Sequence, residues 1–147
     1  MDKAIGPEIS PHSPLKRPHD RAVRWTGGFW GDKFDMVKKE SLQSVLDALE
    51  DPANAAYFGN FRAAAKGKGT FHGRYWSDGD CYKAIETMLL FLDIEHDADL
   101  EAQIDARIAE VAAAQEADGY LNTQISLTDK GRWTDIEHHE MYNLGHL

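Results

Sequence analysis

The chain has 147 residues, 42% hydrophobic and 28% charged, the profile of a folded protein with one core. Its formal charge of −9 disfavours nucleic acid and anionic membrane surfaces, both of which ask for a basic face. The single cysteine, Cys81, excludes an intrachain disulfide and a cysteine-built zinc site within the chain, and it points to a reducing, cytoplasmic home.

Residues 1–22 read as an extended or disordered arm. Pro7, Pro11, Pro14 and Pro18 break any helix there, and no apolar run is long enough for a signal peptide or membrane helix. The domain is expected over 23–147. Val23 to Trp30 is short and apolar, suited to a strand or a packed turn. Phe34, Val37, Leu42, Val45, Leu46 and Leu49 then recur three, four or five apart, which predicts a helix with one apolar face, ended by Asp51 and Pro52. Asn54 to Gly73 shows no clear period. Ala63 to Ala65 suits one helical turn, but Gly67, Gly69 and Gly73 predict loop.

A second helix is predicted from Ser77, where Ser77 and Asp80 have capping-box spacing. Ala84, Ile85, Met88, Leu89, Phe91 and Leu92 give it a wide apolar stripe, that of an inner helix. A third helix runs from near Asp99 through Leu100, Ile104, Ile108 and Val111, and Asp118 and Gly119 end it. Leu121, Thr123 and Ile125 alternate weakly, as in a short strand. A fourth helix begins near His138 or His139 and carries Met141, Leu144 and Leu147 to the last residue, a pattern expected of truncation. No strand signal builds a sheet, so the fold is expected to be all-α.

Three clusters carry candidate chemistry. Trp76-Ser77-Asp78-Gly79-Asp80 lies at a loop-to-helix junction. Its carboxylates suit sugar hydroxyls and Trp76 offers a flat apolar face, although cap residues and a packed Trp explain the same letters. Gln115 to Leu121 fits a helix C-cap followed by a packed Tyr. His138 to His146 fails the zinc-protease signature, because Asn143 stands where the second His is needed. His139 and His146 are two turns apart, roughly 10 Å at the helical rise, too far to share one ion on a regular helix. A glycosidase ordinarily needs two opposed carboxyls. Asp78, Asp80, Asp118 and Glu140 are the candidates, and the sequence does not show which converge. No phosphate loop or serine elbow occurs.

The ordered set Gly28-Phe29-Trp30-Gly31, Asp78-Gly79-Asp80 with Tyr82-Lys83 and Glu86, Gln115 with Asp118-Gly119-Tyr120-Leu121, and His139-Glu140-Met141-Tyr142 with Gly145-His146-Leu147 resembles glycoside hydrolase family 127, of β-L-arabinofuranosidase type. The resemblance covers Val23 to Leu147. It implies the first few helices of an (α/α)6 barrel catalytic domain. It also implies an enzyme that releases non-reducing terminal β-L-arabinofuranose from plant-type glycans with retention. In that family a cysteine nucleophile sits beside a zinc held by cysteines and a glutamate, with a separate glutamate as acid/base. All of these lie beyond the matched segment, so the resemblance implies zinc for the full-length enzyme, no catalytic residue or metal ligand in this chain, and a fragment inactive by itself. Cys81 does not match the nucleophile.

The resemblance carries over a substrate-binding set. His139 matches a histidine that contacts the arabinose, and Trp76, Ser77, Asp78 and Asp80 match a loop lining the same subsite. Gly79 stands where the family often has Ser, and Ala84-Ile85 stand where it often has Trp-Leu. Those departures bear on the floor of the pocket. The partner implied is an arabinofuranoside, with no nucleic acid and no membrane; the oligomeric state is left open. The competing reading is a stand-alone helical module that binds carbohydrate or protein without catalysis.

Overall fold

A computed structural model describes residue 12 and residues 23–54 and 56–147. Apart from residue 12, the arm expected over 1–22 lies outside the described residues. Those residues contain helices and no strand. In chain order they form α1 (Gly28–Met36), a π-helical segment (Val37–Ser41), α2 (Leu42–Glu50), α3 (Tyr57–Ala65), α4 (Ser77–Ile94), α5 (Ala98–Ala114), α6 (Thr123–Leu127), a 3-10 turn (Ile136–His138) and α7 (Glu140–His146). None of these helices is long and apolar enough to cross a membrane.

The first predicted helix starts earlier than its periodicity indicates, at Gly28, which takes φ 68. Its irregular spacing has a structural cause. Val37 and Leu42 are five apart, one residue too many for an α turn, and the backbone widens into the π segment between them. Leu42 and Leu46 thereby keep facing the core, at 9% and 4% exposure.

Two expectations are corrected. The loop expected over 54–73 contains α3, which supplies three fully buried side chains: Phe58, Asn60 and Phe61. Gly59 hides its apolar face from a periodicity argument, and Gly67 and Gly69 mark only the connection after the helix. The strand expected at Leu121, Thr123 and Ile125 is instead the entry to α6. Asn122 turns the chain there, its side-chain oxygen accepting from Ile125 N at 3.1 Å. All three alternating residues are buried, as are Asn122 and Gln124 between them, so the burial does not alternate.

Caps also differ in detail. Asp97 caps α5 by accepting from Leu100 N at 3.1 Å, one residue before the helix begins. At α4 neither Ser77 nor Asp80 caps. Trp76 occupies the cap position, and Ser77 Oγ bonds back to Arg74, accepting from its N–H at 2.8 Å and donating to its carbonyl.

The core joins α2, α3, α4 and α5 around Phe58, Phe61 and Met88, none of which is solvent-exposed, with Tyr82, Phe91 and Ile104 beside them. Each such side chain contributes about 1.5–3 kcal/mol by leaving water. The stripe on α4 is only partly covered. Ile85 and Met88 are buried, whereas Leu89 and Leu90 stay 44% and 56% exposed, and Ile108, Met141 and Leu144 add to the open apolar surface.

An ion network ties α2, α3 and α5 at the edge of this core. Glu50 accepts from Arg62 at 2.6 Å and from Arg107, and Glu110 accepts from Arg62 at 2.8 Å and Arg107 at 3.0 Å. The Arg107 guanidinium also lies 4.4 Å above the Phe58 ring. Partial burial works to raise the Glu50 carboxyl, but the two guanidiniums outweigh it and hold Glu50 below its ordinary value. A lowered folded value means that this contribution is present above the unfolded value and is lost as pH falls through the folded one. Glu50→Gln should therefore flatten the fall in melting temperature between about pH 5 and pH 3. A variant as acid-sensitive as the parent would show that the network does not shape the acid limb.

Candidate functional site

The N-terminal turn of α4 meets α7, and the aromatic residues of both gather there. His139 sits just before α7 in a left-handed conformation, φ 56. Its Nδ1 lies 2.6 Å from the Glu137 carbonyl oxygen. A carbonyl only accepts, so Nδ1 holds the proton and Nε2 is left as the second ring nitrogen for an outside partner. The Trp76 ring is centred 5.5 Å from the imidazole and the Tyr75 ring 6.4 Å from it. Tyr142 stands edge-on between two histidines, 5.9 Å from His139 and 4.7 Å from His146. Lys83 Nζ donates to the Tyr142 hydroxyl and to Asp80 Oδ1, the latter at 3.1 Å, which connects Asp80 to the same aromatic wall.

Buried polar residues hold that wall in place. Asn143 is 1% exposed; its Oδ1 accepts from Gly79 N at 3.0 Å and its Nδ2 donates to the Tyr75 carbonyl at 2.9 Å. One amide side chain thus locks α7 to both sides of the Trp76 turn. Gly79 makes the approach possible. A Cβ there would lie 3.0 Å from the Tyr142 ring and 3.1 Å from Asn143 Oδ1, so a side chain at this position would make those neighbours on α7 give by a few tenths of an ångström. Glu140 is also buried; it accepts from the Tyr120 hydroxyl and, at 2.7 Å, from Trp133 N.

The five residues singled out from sequence divide. Trp76 and His139 come together, and Asp80 reaches them through Lys83 and Tyr142. Ser77 and Asp78 turn inward, at 1% and 2% exposure. Both Asp78 oxygens are engaged by Thr123, from its N–H at 2.7 Å and its hydroxyl at 2.6 Å. Burial nonetheless pushes the Asp78 carboxyl up, against those two bonds. Asp118 differs. The Arg132 guanidinium at 2.6 Å, with the Tyr120 N–H, holds its carboxyl down. All four candidate carboxylates are therefore already engaged by protein donors. Cys81 is fully buried, and desolvation, with Asp78 and Asp80 adding to it, pushes its thiol far above the ordinary range. It is a packing residue rather than a thiolate.

Tyr75, Thr123, Trp133 and Asn143 belong to this region and are not singled out by sequence. Their signal is tertiary, since their partners stand between 7 and 68 positions away. Trp133, Ile136, His139, Glu140 and Tyr142 line an open cleft of about 460 Å³. Aromatic faces, a free imidazole nitrogen and fixed polar groups around an open cleft suit a neutral polyhydroxy ligand. Among the described residues no three His, Cys, Asp or Glu side chains converge as a metal site.

The family model of the β-L-arabinofuranosidase GH127 catalytic domain matches residues 22–147, and the chain belongs to that family. It is 36% identical over 141 residues to the non-reducing end β-L-arabinofuranosidase of Bifidobacterium longum subsp. longum, covering 89% of this chain and 21% of that protein. It superposes on the crystal structure of a GH127 β-L-arabinofuranosidase from Geobacillus stearothermophilus with TM-score 0.78 at 33% identity, covering 84% of this chain and 21% of that one. A second GH127 β-arabinofuranosidase structure gives TM-score 0.77 at 31% identity, over 86% and 22% of the two chains. The chain thus spans about a fifth of the length of these relatives. The helical fold agrees with the partial α/α barrel that the resemblance implies.

Proposed function

We propose that the intact protein is a retaining glycoside hydrolase that releases terminal β-L-arabinofuranose, and that this chain forms one sugar-holding wall of its pocket. The observation that carries this reading is His139, whose Nδ1 is tied to Glu137 O at 2.6 Å while the ring stands 5.5 Å from Trp76. The free Nε2 accepts from a sugar hydroxyl and Trp76 covers an apolar ring face. Asp80 steadies Tyr142 through Lys83. Ser77 and Asp78 support from behind, through Arg74 and Thr123. The four carboxylates singled out from sequence are engaged by protein donors and Cys81 is buried, so bond cleavage is assigned to the remainder of the domain. The zinc implied for the full-length enzyme finds no fitting ligand set among the described residues, and no step is routed through it. The lone buried Cys81 suits a reducing, cytoplasmic setting.

The intact protein should hydrolyse 4-nitrophenyl β-L-arabinofuranoside and leave the α-L anomer untouched. Binding of L-arabinose with no turnover of either anomer would favour the stand-alone module. The open apolar surface at Leu89, Leu90, Ile108 and Leu144 already weighs against that alternative, since such a face is costly to leave uncovered.

A further inference from the structure

We infer that Trp133 is a second sugar platform in the His139 cleft, holding the ring on the far side of the glycosidic bond from the arabinose. The inference rests on the function proposed above and names a part of the substrate that the function leaves unspecified.

Three observations single out this residue. Trp133 lines the same cleft as His139 and is 55% exposed. Its backbone is left-handed, φ 61, a conformation that bulky residues rarely adopt and that persists only where neighbours impose it. The neighbours are identifiable. Trp133 N donates to Glu140 Oε2 at 2.7 Å, and the other oxygen of that buried carboxylate accepts from Tyr120 OH. The Tyr120 ring in turn meets the indole edge-on at 5.7 Å and 87°. The far side of Tyr120 is braced as well. The Arg132 guanidinium lies 3.9 Å from its centroid and forks Glu116 at 2.5 Å and Asp118 at 2.6 Å.

A tryptophan packed within this chain would be buried, and its strain would be offset by the area it hides. Within this chain the strain is kept and the indole is left exposed at the cleft, fixed in orientation by an ordered support. That is preorganisation for something that arrives from outside. An indole offers a broad apolar face to the C–H face of a sugar ring. Glu140 follows His139 directly in the chain, so one carboxylate sets Trp133 relative to the imidazole. A glycan whose second ring lies against Trp133 uses both contacts, whereas a substrate with a small aglycone uses only the one at His139.

The test compares a β-L-arabinofuranosyl disaccharide with methyl β-L-arabinofuranoside, whose aglycone is too small to reach Trp133. The readout is the ratio of kcat/KM for the two substrates in the intact protein. Trp133→Ala should cut the preference for the disaccharide by about 10-fold, mainly through KM, and Trp133→Phe should keep most of it. Trp133→Gly removes the indole while suiting the positive φ, so it separates loss of the platform from backbone strain. It should give the same loss as alanine with a melting temperature no lower. A ratio that does not move in the glycine and alanine variants, while both substrates are still hydrolysed, would overturn the inference and leave the proposed function standing. Turnover of neither substrate by the parent protein, with tryptophan emission unmoved by either sugar, would overturn both.

Discussion

Asp78→Ala is expected to destabilise the protein by about 3 kcal/mol, the combined effect of an emptied buried site and two stranded donors. Thr123 is fully buried, and its N–H and hydroxyl both end on this one carboxylate, 45 positions away in the chain. Without it, both donors lose the one acceptor that the fold gives them. Asp78→Asn retains one acceptor but turns an NH2 group toward a donor, so it should cost less than alanine and more than a surface change. The pH dependence has a definite sign. Burial raises the folded Asp78 carboxyl above its ordinary value of 3.8. Its contribution is therefore full below the unfolded value and declines as pH rises through the folded one. The gap between parent and Asn variant should accordingly narrow with rising pH in urea titrations followed by circular dichroism. A loss below about 1 kcal/mol in the Ala variant would mean that the tie between α4 and α6 is not structural. Lost sugar binding at unchanged stability would move Asp78 to the sugar pocket.

His139→Ala should weaken sugar binding in the intact protein by about 10-fold or more, the size of one good hydrogen bond plus lost ring contact. Its Nε2 is the unengaged ring nitrogen of the aromatic wall, and its ring is oriented by the Nδ1 bond to the Glu137 carbonyl. The effect belongs in KM for the β-L-arabinofuranoside. Histidine is enriched in the left-handed region relative to alanine, so the alanine variant at φ 56 also carries some added backbone strain. Asparagine tolerates that conformation, so His139→Asn should lose affinity while its melting temperature stays near the parent's. Unchanged KM in both variants would remove His139 from the site. Strong destabilisation of the Asn variant would assign the residue to the α7 entry alone.

These two residues illustrate how far local pattern reaches. Asp78 and His139 are both candidates from their neighbours in sequence, a loop-to-helix junction in one case and a helix start in the other. The letters are equally compatible with binding and with support. Only the fold distinguishes them, because Thr123 and Glu137 take up the polar atoms in opposite ways: both oxygens of Asp78 are consumed, and one nitrogen of His139 is spared. Trp133 is only the end of a connecting segment in sequence, since backbone handedness imposed by a residue seven positions on leaves no periodic trace.

What the sequence determined by itself was the long-range regularity. Helices α4 and α5 follow from apolar spacing sustained over several turns, whereas the π segment between Val37 and Ser41 emerged only from the structure. The single cysteine likewise excluded a disulfide within the chain. Tertiary structure decided the short elements and the polar ties. Helices α3 and α6 are nine and five residues long, too short to be stable alone, and exist because Phe58, Phe61 and Ile125 are enclosed by their neighbours. The site is of the same kind. Asn143, Glu140 and Thr123 act through hydrogen bonds between distant positions, and a distance in space cannot be read from a spacing in sequence.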